Sequence, residues 1–348
     1  MLTKPLRACC FFMLTISLLA VNPLFADVAV LERITKAEQD VGYVGLRLRT
    51  YSSSRGARTM EEIIIHKSAE FSYRKVESVI GEQRPVNEEN NRERNRGDEN
   101  GDRNERRRPR EFRWDRERSQ FSQNQIKLIA KNYELERRHW GEKIAGHETD
   151  LLIIKPKNAG RPTKHIYFAR KNGVILRVED LDAAGVLRRM FVYTRISFDP
   201  EIVKKKWEGF KADIKPEPSR PRPTISLANA EKILKRKLIQ PTYLPPGFQL
   251  QGMYNRHFGG NHVQLKYTDG MLEFNLFETT DKITRREGRN RGETEIQIGG
   301  SSVRKNQRGP TQTYGWSSGD IHFFILCEIP AKEIEKVVES IIQQANQK

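Results

Sequence analysis

The chain has 348 residues, three cysteines and a net charge of +17. That length suffices for two ordinary domains with packed cores, and a lone cysteine beyond position 10, Cys327, excludes an intramolecular disulfide. A basic surface attracts nucleic acid, anionic lipid head groups or acidic protein segments.

The first residues bear on that choice. Lys4 and Arg7 precede an apolar stretch over 8–19, a break at Asn22-Pro23, and the small residue Ala26 before Asp27. This is the three-part layout of a cleavable secretory signal peptide over residues 1–26. The apolar run is shorter than the roughly 20 residues that span a bilayer, although an uncleaved anchor is the competing reading. Export predicts a periplasmic protein and sets nucleic acid aside as a partner. Beyond the amino terminus the sequence has no segment long and apolar enough to span a bilayer.

Val28, Leu31, Ile34 and Ala37 recur at helical spacing and predict a helix over 28–40. Short runs over 43–51, 60–66 and 71–78, rich in β-branched and aromatic residues, predict an antiparallel meander. From 82 to 118 the chain is nearly devoid of apolar residues and dominated by Arg, Glu, Asp and Asn. Such a segment cannot offset a backbone ordering cost of roughly 1–2 kcal/mol per residue. It is predicted to be a disordered charged insert, either a solvated spacer or a docking loop. Order resumes near Gln125. Residues 131–138 place Tyr133 and Leu135 on one face, and strands follow over 151–155, 165–170 and 174–179. Asn172-Gly173 marks a tight hairpin. A long strand or strand pair occupies 186–197. The first domain, 27–213, is therefore a helix with seven or eight antiparallel strands. One curved sheet over one or two helices is expected, because the amphipathic first helix must cover its apolar stripe.

The Pro-rich run 214–224 reads as a stiff linker. The second domain, 225–348, opens with a helix capped by Ser226 and ended by Pro241. A strand over 249–256 follows. Hairpins are predicted at 263–277, about Asp269-Gly270, and at 314–325. Residues 283–294 form a second polar insert. A final helix over 330–344 carries Ile334, Val337, Val338 and Ile341 as its buried stripe.

Candidate chemistry is sparse. His139, Glu142, His147 and Glu148 cluster in sequence, but glycines interrupt any helix there and no HExxH spacing occurs. No metal site or cofactor is predicted. Nucleophile-elbow, Walker and dinucleotide fingerprints are absent. Cys327 ends an apolar strand and reads as a core thiol. Nothing predicts an enzyme. The apolar strand residues Leu46, Leu48, Ile63, Ile65, Phe71, Tyr73, Tyr133, Leu135, Ile154 and Phe168 are candidates to line a cleft for an acyl chain. Their competing role is plain core against the helices. Burial yields about 25 cal/mol per Å² whichever partner covers them, so both readings stand.

Several motifs, taken in order, resemble a known family. Tyr43-Val44-Gly45, Ile65-His66, Phe71-Ser72-Tyr73-Arg74, Ala145-Gly146-His147, Ile154-Lys155-Pro156-Lys157 and residues 174–179 resemble the N-terminal domain of the periplasmic sigma-E regulators (RseB/MucB). Leu244-Pro245-Pro246-Gly247-Phe248, Tyr267-Thr268-Asp269-Gly270, Phe277-Glu278 and Trp316-Ser317-Ser318-Gly319-Asp320 resemble that family's C-terminal domain. The resemblance implies an α+β fold: an unclosed antiparallel β-barrel with packed helices, LolA-like, then a smaller α+β domain. It also implies a non-enzymatic regulator that binds the extracytoplasmic segment of an anti-sigma-type membrane protein and senses lipid or lipoprotein acyl chains. A periplasmic lipid or lipoprotein carrier is the alternative, resting on the first domain alone. The chain departs from the family in the insert at 82–118, in the polar insert near 285–295, and at His147, where an Arg is expected.

Overall fold

The computed structural model describes residues 23–53, 56–68, 71–81, 121–210, 224–257, 261–281, 293–308 and 311–347. Residues 1–22 of the predicted signal segment 1–26, the predicted insert at 82–118, residues 214–223 of the predicted linker 214–224 and most of the predicted polar insert at 283–294 lie outside the described residues.

Helix α1 (Pro23–Asp40) buries the predicted stripe, with Leu31 and Ile34 fully enclosed. Strands β1 (Tyr43–Ser53), β2 (Gly56–Ser68) and β3 (Phe71–Gly81) form the expected meander. Helix α2 (Gln123–Asn132) is an element that the sequence reading did not separate from the strand after it. It starts at a capping box, in which Ser122 and Gln125 exchange side-chain and backbone hydrogen bonds. Its buried side carries Ile126, Leu128, Ile129 and the polar Asn132, too few apolar residues to declare a helical period. Strands β4 (Tyr133–Ile144), β5 (His147–Pro156), β6 (Thr163–Ala169), β7 (Ile175–Leu181) and β8 (Leu187–Ser197) follow, so 186–197 is one strand. Helix α3 (Pro200–Phe210) is also beyond the sequence reading. Asp199 starts it by accepting the Glu201 amide at 2.9 Å.

The eight strands form one antiparallel sheet in the order β3-β2-β1-β8-β7-β6-β5-β4, with β3 and β4 as its two edges, so the sheet is unclosed. Helices α1 and α2 share one core with it, including Tyr43, Ile64, Ile154, Phe168, Phe191 and Tyr193. Helix α3 packs against β1 and β2.

The second unit opens with α4 (Leu227–Leu234), capped by Ser226 as expected. It stops at Lys235 in the left-handed conformation rather than at Pro241. Strands β9 (Gln249–His257), β10 (Asn261–Thr268), β11 (Glu273–Thr279), β12 (Glu293–Ile298), β13 (Ser301–Arg308), β14 (Thr311–Ser318) and β15 (Ile321–Cys327) precede α5 (Ala331–Asn346). The hairpin β12–β13 has few apolar residues and so gives little period-2 signal; Gly299 and Gly300, both at positive φ, form its turn. The sheet order is β12-β13-β14-β15-β11-β10-β9. The molecule is thus α+β throughout: a large open antiparallel sheet, then a smaller sheet under α5.

Candidate functional site

Side chains along a strand alternate between faces, so one register choice decides what a sheet presents. On β1 the side turned to the helices carries Tyr43, Gly45, Arg47 and Arg49, all buried. Register pairs Arg47 with Glu62 on β2 and with Tyr193 on β8. Glu62, fully buried, accepts from Arg47 Nη2 at 2.7 Å and from Arg49 Nε at 3.1 Å. Arg74 Nη1 adds a third cation at 3.7 Å. The Arg47 guanidinium also lies 5.0 Å from the Phe191 ring centroid. Gly45 is required beside it: a Cβ there would stand 2.5 Å from the Tyr193 ring. Charges taken out of water persist only where partners satisfy them, so this is a built polar cluster within the sheet's inner face.

Glu38, at the end of α1, joins this region. Its carboxylate accepts from the Tyr43 hydroxyl at 3.3 Å and the Ile175 amide at 3.4 Å, and its carbonyl meets the His66 ring nitrogen at 2.9 Å. Burial pushes the Glu38 carboxyl up to about 7, opposed by the Ile175 amide, the Tyr43 hydroxyl and the charge of Arg47. Burial likewise lowers His66, whose ring stacks on Tyr43 at 4.7 Å.

The ten candidate cleft residues divide between faces. Tyr133, Leu135, Ile154 and Phe168 come together in the core shared with α1 and α2. Leu46 and Ile63 pair across β1 and β2 on the face opposite Arg47 and Glu62. Leu48 shares that face and, like them, is half-buried, whereas Ile65 is fully buried. The side chains of Phe71 and Tyr73 lie outside the described residues. Sequence reasoning treated the ten as one set because each is apolar. The register of β1 turns Arg47 and Arg49 to the side of α1 and α2 and Leu46 and Leu48 to the other face.

The histidine-rich stretch does not converge either. His139 Nδ1 lies 3.0 Å from Asp150, which Arg137 and Arg170 also contact at 2.6 and 3.1 Å. Burial would raise the Asp150 carboxyl, but these three side-chain hydrogen bonds hold it below the usual range. His147 packs on Phe198 and Glu142 accepts from Trp140. Among the described residues no group of three acidic, His or Cys side chains is placed to hold a metal ion. Cys327 is buried, with its thiol pushed up to about 12 by burial, opposed by the Ile329 amide.

A second built cluster joins the two units. Arg161, in the loop before β6, has a fully buried side chain. Its Nη1 donates to Asp269 at 2.9 Å, and its Nη2 donates to the Pro246 carbonyl at 2.9 Å and to Glu333 at 3.3 Å. The Tyr133 hydroxyl donates to the same Asp269 oxygen at 2.8 Å. Asn132, which ends α2, donates to the carbonyls of Gly247 and Asp269 at 3.1 and 2.9 Å. Gly270 has φ +105°, and a Cβ there would lie 2.9 Å from the Ile129 amide nitrogen, so the β10–β11 turn can meet α2 only with glycine. Met271, from the same turn, packs into the first unit's core. Arg189 on β8 makes a further bridge, to Glu328 at 3.0 Å. Along the sequence Asp269-Gly270 is a hairpin signal and part of a family motif; its use as a tie between the units depends on which surface the hairpin meets.

A family model described as the MucB/RseB N-terminal domain matches residues 27–209. A second, described as a domain of unknown function (DUF4367), matches residues 238–341. No curated protein matches the chain. Among solved structures, the complex of Pseudomonas aeruginosa MucA/MucB is 17% identical, covers 90% of this chain and 98% of that one, and has a TM-score of 0.47. MucB in complex with MucA(peri) is 16% identical, with coverages of 90% and 97% and a TM-score of 0.46. A putative outer membrane lipoprotein-sorting protein domain from Vibrio parahaemolyticus is 9% identical over 53% of this chain and 98% of its own, with a TM-score of 0.21. The first family model spans more than half of the chain, and the chain belongs to the MucB/RseB family.

Proposed function

We propose that this protein is an exported, non-enzymatic regulator that binds the extracytoplasmic segment of an anti-sigma-type membrane protein in the periplasm. The observation that carries the reading is the family match over 27–209. The joined units support it, because Arg161, Asp269, Tyr133 and Asn132 hold both sheets to one another and so offer a partner a single extended surface. The printed descriptions of the MucB structures, in complex with MucA, agree with a partner of this kind.

Pull-down of the mature protein from envelope extracts tests the proposal. The expected result is recovery of a membrane protein whose cytoplasmic part binds a sigma factor. Recovery of none would remove the reading. Lipid sensing is its second part. Leu46, Leu48 and Ile63 offer half-buried apolar surface to an acyl chain, and native mass spectrometry of the purified protein should show retained acyl ligands. Their absence would leave the protein-binding role and discard the lipid one.

A further inference from the structure

The outer face of the second sheet, away from its core, carries a row of side chains that the core does not use. Val303, Tyr314, Trp316, Phe323 and Ile325 turn into the core, so their alternate neighbours on β13, β14 and β15 lie on the other side. Register sets Glu295, Arg304, Gly315, Phe324 and Phe277 side by side across five strands. Gly315 interrupts that row. A Cβ there would meet only ordinary contacts, 3.6 Å from Arg304 Nη2 and 3.8 Å from the Phe324 ring. A strand glycine that its own surroundings do not require marks a place of close approach. The half-buried Arg304 guanidinium forms no ion pair or hydrogen bond among the described residues. Glu295 faces it in register but accepts from the Ser302 hydroxyl instead. Phe324 is 41% exposed, and its ring centroid lies 6.0 Å from that of Phe277. Beside them the Ser317 hydroxyl and His322 Nδ1 stand 2.7 Å apart. Between β12, β13 and β14 the surface is hollowed into an open groove of about 630 Å³, with Glu293, Glu295, Arg304, Gly315 and Ser317 in its lining. That volume suits a small ligand.

We propose that this groove binds a saccharide, with one face of a sugar ring against Phe324 and its hydroxyls among Arg304, Glu293, Glu295 and Ser317. A phosphate or carboxylate ligand is disfavoured, because two carboxylates share the groove with the Arg304 guanidinium. An acyl chain would strip water from those charges and replace it with nothing. A sugar hydroxyl both donates and accepts, so neighbouring hydroxyls can satisfy guanidinium donors and carboxylate acceptors together. The C–H face of the sugar meets the negative face of the aromatic ring. Without a side chain at 315, the ring can come down onto the strand between Arg304 and Phe324. This inference stands on the second unit alone and does not rest on the anti-sigma or acyl-chain reading.

Titration calorimetry of the full mature protein provides the test, with chitotetraose and maltotetraose as the two probes. One of them should bind with a Kd of about 1 mM or tighter, and which one does so separates acetylated amino sugars from plain hexoses. Phe324→Ala and Arg304→Met should each weaken that binding roughly tenfold. Neither side chain is fully buried, so both variants should stay folded. Gly315→Val fills the gap, and the flexible end of Arg304 can shift to admit it; it should keep the fold and abolish binding. Leu227→Ala, 44% exposed on α4, is the control and should change affinity by less than about twofold. Absence of binding with both probes would overturn the proposal. Binding that survives all three groove variants would do so too, because the sugar would then sit elsewhere, as would an equal loss in Leu227→Ala. If neither sugar binds while Gly315→Val abolishes recovery of the membrane partner, the groove belongs to a protein contact and the saccharide proposal falls. Failure of the envelope pull-down, with sugar binding intact, would sink the regulator reading and leave this one standing.

Discussion

The two sheets bury their inner faces in different ways. In the second unit, Tyr314, Trp316, Phe323, Ile325, Val337 and Ile341 form an apolar core between sheet and helix, and the buried carboxylate Glu278 is held by Arg236 at 3.1 Å and the Ile239 amide rather than shared among several cations. In the first, β1 and β2 turn Arg47, Arg49 and Glu62 to the inside beside Phe191 and Tyr193. Apolar burial accepts any neighbour that excludes water. Buried charge accepts only a partner of opposite sign at the right distance, and loses heavily when that partner goes. The first unit should therefore be the brittle one, with its fragility concentrated in a few polar side chains.

The strongest way to break that contrast is Glu62→Ala. It leaves the buried Arg47 and Arg49 without their shared carboxylate and should cost about 3–5 kcal/mol in denaturant unfolding. A loss under about 1 kcal/mol would show that the cluster is solvated and the contrast mistaken. Arg161→Met extends the comparison to the junction. Asp269 keeps the Tyr133 hydroxyl and the Met271 and Leu272 amides as donors, so the cost should sit near the lower end of about 3–5 kcal/mol. Calorimetry should also show one transition separating into two, because the buried tie between the units is gone. An unchanged single transition would argue that Arg189 and Met271 suffice.

Glu38 sharpens the contrast through pH. Its folded pKa of about 7 lies above the ordinary 4.5, so the folded state takes up a proton that the unfolded state releases. The resulting stability is fully present below the unfolded value and is lost as pH rises through about 7. Against Glu38→Gln, which cannot titrate, the wild type should gain roughly 3 kcal/mol as pH falls from about 8 to about 4. A flat difference across that window would place Glu38 in contact with water. The smallest effect belongs to the second unit. Ile341→Val in its apolar core should cost only about 0.5–1.5 kcal/mol, with no dependence on pH.

Legibility follows the same division. Helix α5 and hairpins β10–β11 and β14–β15 could be read directly, since apolar period and turn residues are local signals. Helix α1 and the first meander were equally plain. Helices α2 and α3 were missed because each shows a turn or two of period and starts from a polar cap that also suits a loop. The hairpin β12–β13 was missed because its strands are largely polar. For the candidate cleft, the residues were found as apolar but their faces were not. Gly45 and Arg47, set against Tyr193 and Glu62, decide the direction of β1, and those partners lie on other strands.

By itself, the order of residues determined the α+β class, most strands of both sheets and the motifs of the family, because these arise from neighbours along the chain. Only the folded arrangement decided that arginines rather than leucines face α1 and α2 and that Asp269 ties one unit to the other. Each of those depends on which distant segment comes to lie opposite, and a buried charge or a close backbone approach takes its meaning from that encounter alone.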